Sequence, residues 1–203
     1  MRNKSSSFKR RRGTQRYKRR YYLVCEGAVT EPAYFNQLKA LYRESIIDIK
    51  PLKTKNSAPG HLIKCAEDQS DLREGDELWI ILDVDKWTQE QFDELEKWEQ
   101  QNTNRHVAVS NPCFEIWLVF HEQDPSDCSK RACQTYFENN IAHGTKSIRI
   151  NWLTLENINK AIERAKARDL NKHKFVPDNP TSRVYRLIEN IDAFCNAYTT
   201  GSL

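Results

Sequence analysis

Two kinds of hydrophobic spacing take turns along the first half of the chain. Tyr21 to Cys25 is an unbroken run of apolar and aromatic residues, and Trp79 to Leu82 is another. Short runs of this kind, bounded by polar residues, predict strands buried on both faces. Ile46 to Ile49 alternates apolar with charged positions, and His106 to Val109 forms a fourth short segment, so both are predicted as strands. Between these segments the spacing changes to that of helices. Tyr34, Phe35, Leu38 and Leu41 share one face of a helix predicted from Thr30 to about Arg43. Thr30 is its expected N-cap, with Glu31 and Pro32 in the first turn, where an acid and a proline both belong. Leu62 to Leu72 predicts a shorter helix, and Phe92, Leu95 and Trp98 mark one from Thr88 to about Gln101.

Strand and helix alternate four times in this way, which predicts a mostly parallel four-stranded sheet with right-handed crossovers and helices on its faces. Ser110 or Asn111 is expected to cap the next helix, with Pro112 in its first turn. Phe114 to Phe120 makes that helix apolar on most sides, so it should be buried. After Asp127 only helical patterns recur, at about 127–140, 154–169 and 183–197. The expected organisation is a basic leader over 1–20, an α/β core over 21–125 and a C-terminal helical extension over 126–203 packed on that core.

Charge separates the leader from the rest. Residues 1–20 hold ten Lys and Arg and no acid; since the whole chain is +4, residues 21–203 sum to −6. A block of like charge with so few apolar residues is expected to be disordered alone and to attract phosphates. Arg10, Arg11, Arg12, Arg16, Lys18, Arg19 and Arg20 are therefore candidate nucleic-acid contacts, set against the plainer reading of a solvated tail. No apolar run approaches the ~20 residues of a membrane-spanning helix, and no apolar segment follows the basic start as a secretory signal requires. A cytoplasmic protein without membrane contact is expected, and its six cysteines then read as thiols. A zinc site from Cys128, Cys133, His121 and His143 would need a looser spacing than structural sites use, and surface or core thiols are the plainer reading.

The candidate chemistry sits where strands end. Glu26-Gly27 follows the first strand, and Asp83-Val84-Asp85 closes the third. Side chains alternate along extended chain, so Asp83 and Asp85 point the same way. Like charges so close repel unless a cation or a proton lies between them. Open α/β sheets bind ligands at the carboxyl ends of their strands. Glu26, Asp83 and Asp85 thus form a candidate Mg²⁺ (or Mn²⁺) set, with Glu26 alternatively a general base. Glu31 either contributes to that set or simply favours the positive end of its helix. Glu115, within an apolar stretch, needs a partner: a metal, or an Arg or Lys. Asn111 could cap its helix or reach the same cleft. Lys172-His173-Lys174 and Lys146 to Arg149 could line a phosphate path or be ordinary solvated surface.

Glu26-Gly27 with Asp83-Val84-Asp85 resembles the Toprim domain. The longer blocks Val24-Cys25-Glu26-Gly27-Ala28-Val29-Thr30-Glu31-Pro32, Ser110-Asn111-Pro112-Cys113-Phe114-Glu115-Ile116-Trp117-Leu118 and Asn179-Pro180-Thr181-Ser182-Arg183-Val184-Tyr185 resemble the RloB family over about residues 20–195. That resemblance implies a Toprim-like sheet and a Mg²⁺-dependent endonuclease site cleaving RNA or DNA. It also implies a role in bacterial phage defence, with an ATPase companion. The alternative is a non-catalytic nucleic-acid-binding or regulatory subunit of a defence complex. Whether the chain forms a homo-oligomer is left open by the sequence.

Overall fold

A computed structural model describes residues 18–42, 46–54, 58–69, 71–84, 87–142 and 147–201. Asp85, His143, Lys146 and the leader arginines Arg10, Arg11, Arg12 and Arg16 lie outside the described residues. Five strands form one sheet in the order β2-β1-β3-β4-β5. They are β1 (Arg19–Cys25), β2 (Ile47–Lys53), β3 (Glu77–Asp83), β4 (Arg105–Asn111) and β5 (Thr181–Ser182). The first four run parallel, as the alternation predicts, and β5 is antiparallel to β4. The helices are α1 (Thr30–Leu41), α2 (Pro59–Glu67), α3 (Gln89–Gln100), α4 (Glu115–Glu122), α5 (Lys130–Tyr136), α6 (Leu155–Arg168) and α7 (Val184–Thr200), with a π turn, Phe137–Ile141, continuing α5.

The two-residue period of the central strands divides the core in two. Tyr21, Leu23, Cys25, Trp79, Ile81 and Ala108 face α1, α4, α6 and α7. Tyr22, Val24, Leu78, Ile80, Leu82, Val107 and Val109 face α2 and α3. Both faces of β1 and β3 are covered, which explains why their sequences are solidly apolar. α4 lies at the centre of the first layer, and Trp117 is fully buried there.

Several boundaries differ from the expectation. β1 begins at Arg19, so Arg19 and Arg20 belong to the sheet and not to a leader. Arg20 is buried and donates through Nε to Asp76 at 2.8 Å, with Asp71 as a further partner. Arg19 lies against Glu77 and over the Phe194 ring. A count of charge along the sequence merges these two with the basic run; the acids that neutralise them come from more than fifty positions away. β2 continues past the expected end through Pro51, tolerated because β2 is an edge strand. α4 starts at Glu115, after the cis Asn111–Pro112 bond, so Pro112 is not in a helical turn and Asn111 does not cap it. Asn111 closes β4 and donates through Nδ2 to Pro177 O at 2.9 Å. Thr30 is the first helical residue of α1, without a side-chain cap. The extension is not purely helical, since it supplies β5. Among the described residues no helix is long and apolar enough to cross a membrane.

Candidate metal centre

β1 and β3 are neighbours, and the segments leaving their carboxyl ends go to opposite faces of the sheet. After β1 the chain enters α1, whose Tyr34, Phe35 and Leu38 join the first core layer; after β3 it enters α3, whose Phe92, Leu95 and Trp98 join the second. Such a reversal opens a crevice between the two strand ends, the position where open α/β sheets hold their ligands. Glu26 and Asp83 stand on either side of it. Glu26 N–H donates to Ile81 O at 3.0 Å, extending the ladder by one residue. Its side-chain Oε2 accepts from the Asp83 backbone N–H at 3.1 Å.

A cleft of about 380 Å³ opens at this point, lined by Glu26, Glu31, Asp83 and Glu115 together with Lys130 and Gln134. Gly27, Ala28, Val29 and Thr30 also line it. Four of the five carboxylates singled out from the sequence therefore meet in one cleft, and the fifth, Asp85, lies outside the described residues. Glu31 is only 7% exposed. Its Oε1 accepts from Gly27 N–H at 2.9 Å. Burial raises the Glu31 pKa above the ordinary carboxyl value; the backbone N–H groups of Glu31 and Gly27 oppose the rise, and the charges of Glu115 and Glu26 add to it. A Cβ at position 27 would fall 2.1 Å from Glu31 Oε2, so any larger residue there must displace the Glu31 carboxylate. Glu115, the first residue of α4, is half-buried at the cleft wall. Behind it the Cys113 thiol is raised by its hydrogen bond with Cys133, by burial and by the charges of Glu115 and Asp83.

Lys130 and Gln134 have no counterpart among the residues singled out from the sequence. They sit one turn apart at the start of α5, so both face the same way. Their spacing is visible in the sequence, but the docking of α5 beside the strand ends is not. Among the described residues, Lys130 is the one cation whose side chain lines the cleft.

The donor chemistry fits a hard divalent cation: four carboxylates from three segments (26–31, the end of β3 and the start of α4) around one opening, with Lys130 against them. The side chains are not drawn in around a point, since Glu26 is turned to the Asp83 backbone and Glu31 to Gly27. Accordingly, among the described residues no three His, Cys, Asp or Glu side chains are grouped tightly enough to hold one ion. His121, weighed with the cysteines for zinc, is buried between Tyr34 and Trp117, and burial lowers its pKa to about 3.

A mostly parallel α/β sheet with acidic residues at the reversal of strand order defines the class of protein. The chain belongs to the RloB-like family, whose model, described as RloB-like protein, matches residues 21–191. Neither a curated protein nor a solved structure matches it.

Proposed function

We propose that this protein is a Mg²⁺-dependent nuclease, hydrolysing phosphodiester bonds of RNA or DNA at the cleft between β1 and β3. The observation that carries this reading is the meeting of Glu26, Glu31, Asp83 and Glu115 beside Lys130 where the strand order reverses. Glu26 and Asp83 would hold the cation, with Asp85 two residues further along the chain as a third ligand. Glu31 and Glu115 are candidates for a second cation. When bound, Mg²⁺ polarises a phosphoryl oxygen and stabilises the leaving oxygen. Lys130 binds a non-bridging phosphate oxygen and orients the scissile bond across the cleft. Glu26, where it is not a ligand, or Glu31, where no second cation is held, would take the proton of the attacking water. The leaving oxygen takes a proton from solvent, and the products are a phosphomonoester and a hydroxyl end.

The leader residues Arg10, Arg11, Arg12, Arg16 and Lys18 would add salt-sensitive affinity for the substrate backbone. The family resemblance supports a role in phage defence and an ATPase companion that controls the activity. The test is incubation of labelled RNA and DNA with the full chain and Mg²⁺ or Mn²⁺, beside Asp83→Asn and an EDTA control. Cleavage is expected from the wild type alone. Losing a metal ligand should cost more than the roughly 10–100-fold typical of outer-shell partners. Equal cleavage by both proteins, or cleavage that survives EDTA, contradicts the assignment.

A further inference from the structure

The loop joining α6 to β5 is wound around one buried side chain. Arg183 is 1% exposed. It donates to three loop carbonyls, those of Asn171 at 3.0 Å, Lys174, and Phe175 at 2.7 Å. Its charge is met by Asp169 through two hydrogen bonds, at 3.0 and 2.9 Å. Tyr185 Oη also donates to Asp169, at 2.8 Å. Removing an Arg and an Asp from water is costly, and the geometry must recover that cost. Here the recovered interactions all serve to shape one surface loop.

The loop has an inner and an outer side. Phe175 and Val176 pack into the second core layer, with the Phe175 ring 6.4 Å from that of Phe92. Lys172, His173 and Lys174 are exposed one after another. Between Asp169 and Arg186 there are four Lys and Arg against two Asp; the buried Arg183–Asp169 pair cancels, which leaves Lys172, Lys174 and Arg186 against Asp178. Asp178 meets Lys174 at 2.8 Å in a solvent-exposed pair, of a kind that contributes little and exchanges readily.

The loop is also tied to the edge that carries the cleft. Asn111 Nδ2 holds Pro177 O at 2.9 Å, and β5 pairs with β4 at Ser110 and Asn111. Ser110 in turn is the register partner of Asp83. From Asp83 to β5 is therefore two strand spacings, about 10 Å along the strand tips. Asn111 thus holds Pro177 at the same carboxyl edge of the sheet as Asp83, with Phe175 and Val176 on the α3 side.

We propose that the 171–178 loop is a second binding site for the substrate's phosphodiester backbone, gripping nucleotides beside the scissile one through Lys172, His173 and Lys174. This rests on the nucleic-acid reading of the cleft and adds to it a fixed basic element outside the leader. An acidic protein surface is the competing occupant.

The experiment compares the full wild-type chain with Lys172→Glu/Lys174→Glu, with Lys172→Ala/His173→Ala/Lys174→Ala, and with a charge-matched control, Lys97→Glu/Lys160→Glu, whose residues are exposed on α3 and α6. Binding of a fluorescein-labelled single-stranded oligonucleotide is read by anisotropy in EDTA over a range of KCl. The reversal variant is expected to bind at least tenfold more weakly than the control. With two phosphates no longer neutralised, the slope of log Kd against log salt should fall by roughly 1.4. In Mg²⁺ its KM should rise with kcat unchanged. Loop variants that bind as tightly as the control overturn the proposal and point to the acidic protein partner. A wild type that binds no oligonucleotide overturns it too. Loop-dependent binding without cleavage by the wild type removes the nuclease reading and leaves the loop assignment standing.

Discussion

Glu26 Oε2 accepts a hydrogen bond from the backbone N–H of Asp83, joining two strand ends that are 57 positions apart in the chain. The contact fixes the spacing of the two carboxylates at the cleft. Glu26→Gln keeps an acceptor oxygen and loses the charge. Its urea midpoint should match the wild type while cleavage disappears. Glu26→Ala loses the acceptor as well, which should cost a further ~1 kcal/mol in the same melts.

Gly27 and Glu31 are a second coupled pair. The methyl of Gly27→Ala would have to displace the Glu31 carboxylate, 2.1 Å from the Cβ position, and break its hydrogen bond. A loss of about 1 kcal/mol is expected from denaturant melts, together with a loss of activity. In a Glu31→Ala background the same glycine substitution should be nearly silent. A coupling below about 0.5 kcal/mol in that cycle would show the two positions to be independent.

Glu31 also predicts a pH dependence. Its pKa in the folded protein is raised, chiefly by burial and then by Glu115 and Glu26. The folded state thus holds the proton more tightly than the unfolded state does. Stability from this group is complete below the unfolded carboxyl value, about 4.3, and declines as pH rises through the folded value. Glu31→Gln should therefore melt higher than the wild type at pH 7 to 8, and the gain should vanish below about pH 4. Adding Mg²⁺ at neutral pH should raise the wild-type melting temperature more than that of the variant.

Arg20 and the leader should separate by measurement. Arg20 lies in β1 with its charge met by Asp76 and Asp71. Arg20→Ala strands a buried Asp76 and should cost about 3–5 kcal/mol in thermal or urea melts. Removing residues 1–17 takes away seven Lys and Arg. It should lower nucleic-acid affinity and flatten its salt dependence. If Arg20→Ala left stability untouched, the charge network at the start of β1 would be misassigned.

What could be read from the sequence follows from how each signal arises. β1 and β3 were legible because burial on both faces demands continuous apolar runs, and their acidic ends marked the cleft. The helical stripes of α1 and α3 were legible because Tyr34, Phe35 and Leu38, and Phe92, Leu95 and Trp98, repeat at the helical period. β5 was not, since two residues, Thr181 and Ser182, are too few to carry any period. Lys130 was not, because its role depends on where α5 docks and not on α5 itself. Arg20 escapes the sequence for a similar reason: its neighbours in sequence are basic, while its neighbours in space are acids from the segment leading into β3. The apolar neighbours of Glu115 mark it in the sequence as a carboxylate needing a partner, while its place at the first residue of α4, facing the cleft, follows only from the fold.

The most direct test of the account is anomalous diffraction from crystals of the full chain soaked in Mn²⁺. A peak is predicted between Glu26 and Asp83, with carboxylate oxygens from both at roughly 2.0–2.3 Å, and none in crystals of Asp83→Asn soaked alongside. Wild-type crystals that bind Mn²⁺ only elsewhere, or show no peak in that cleft, would contradict a shared cation site at the ends of β1 and β3.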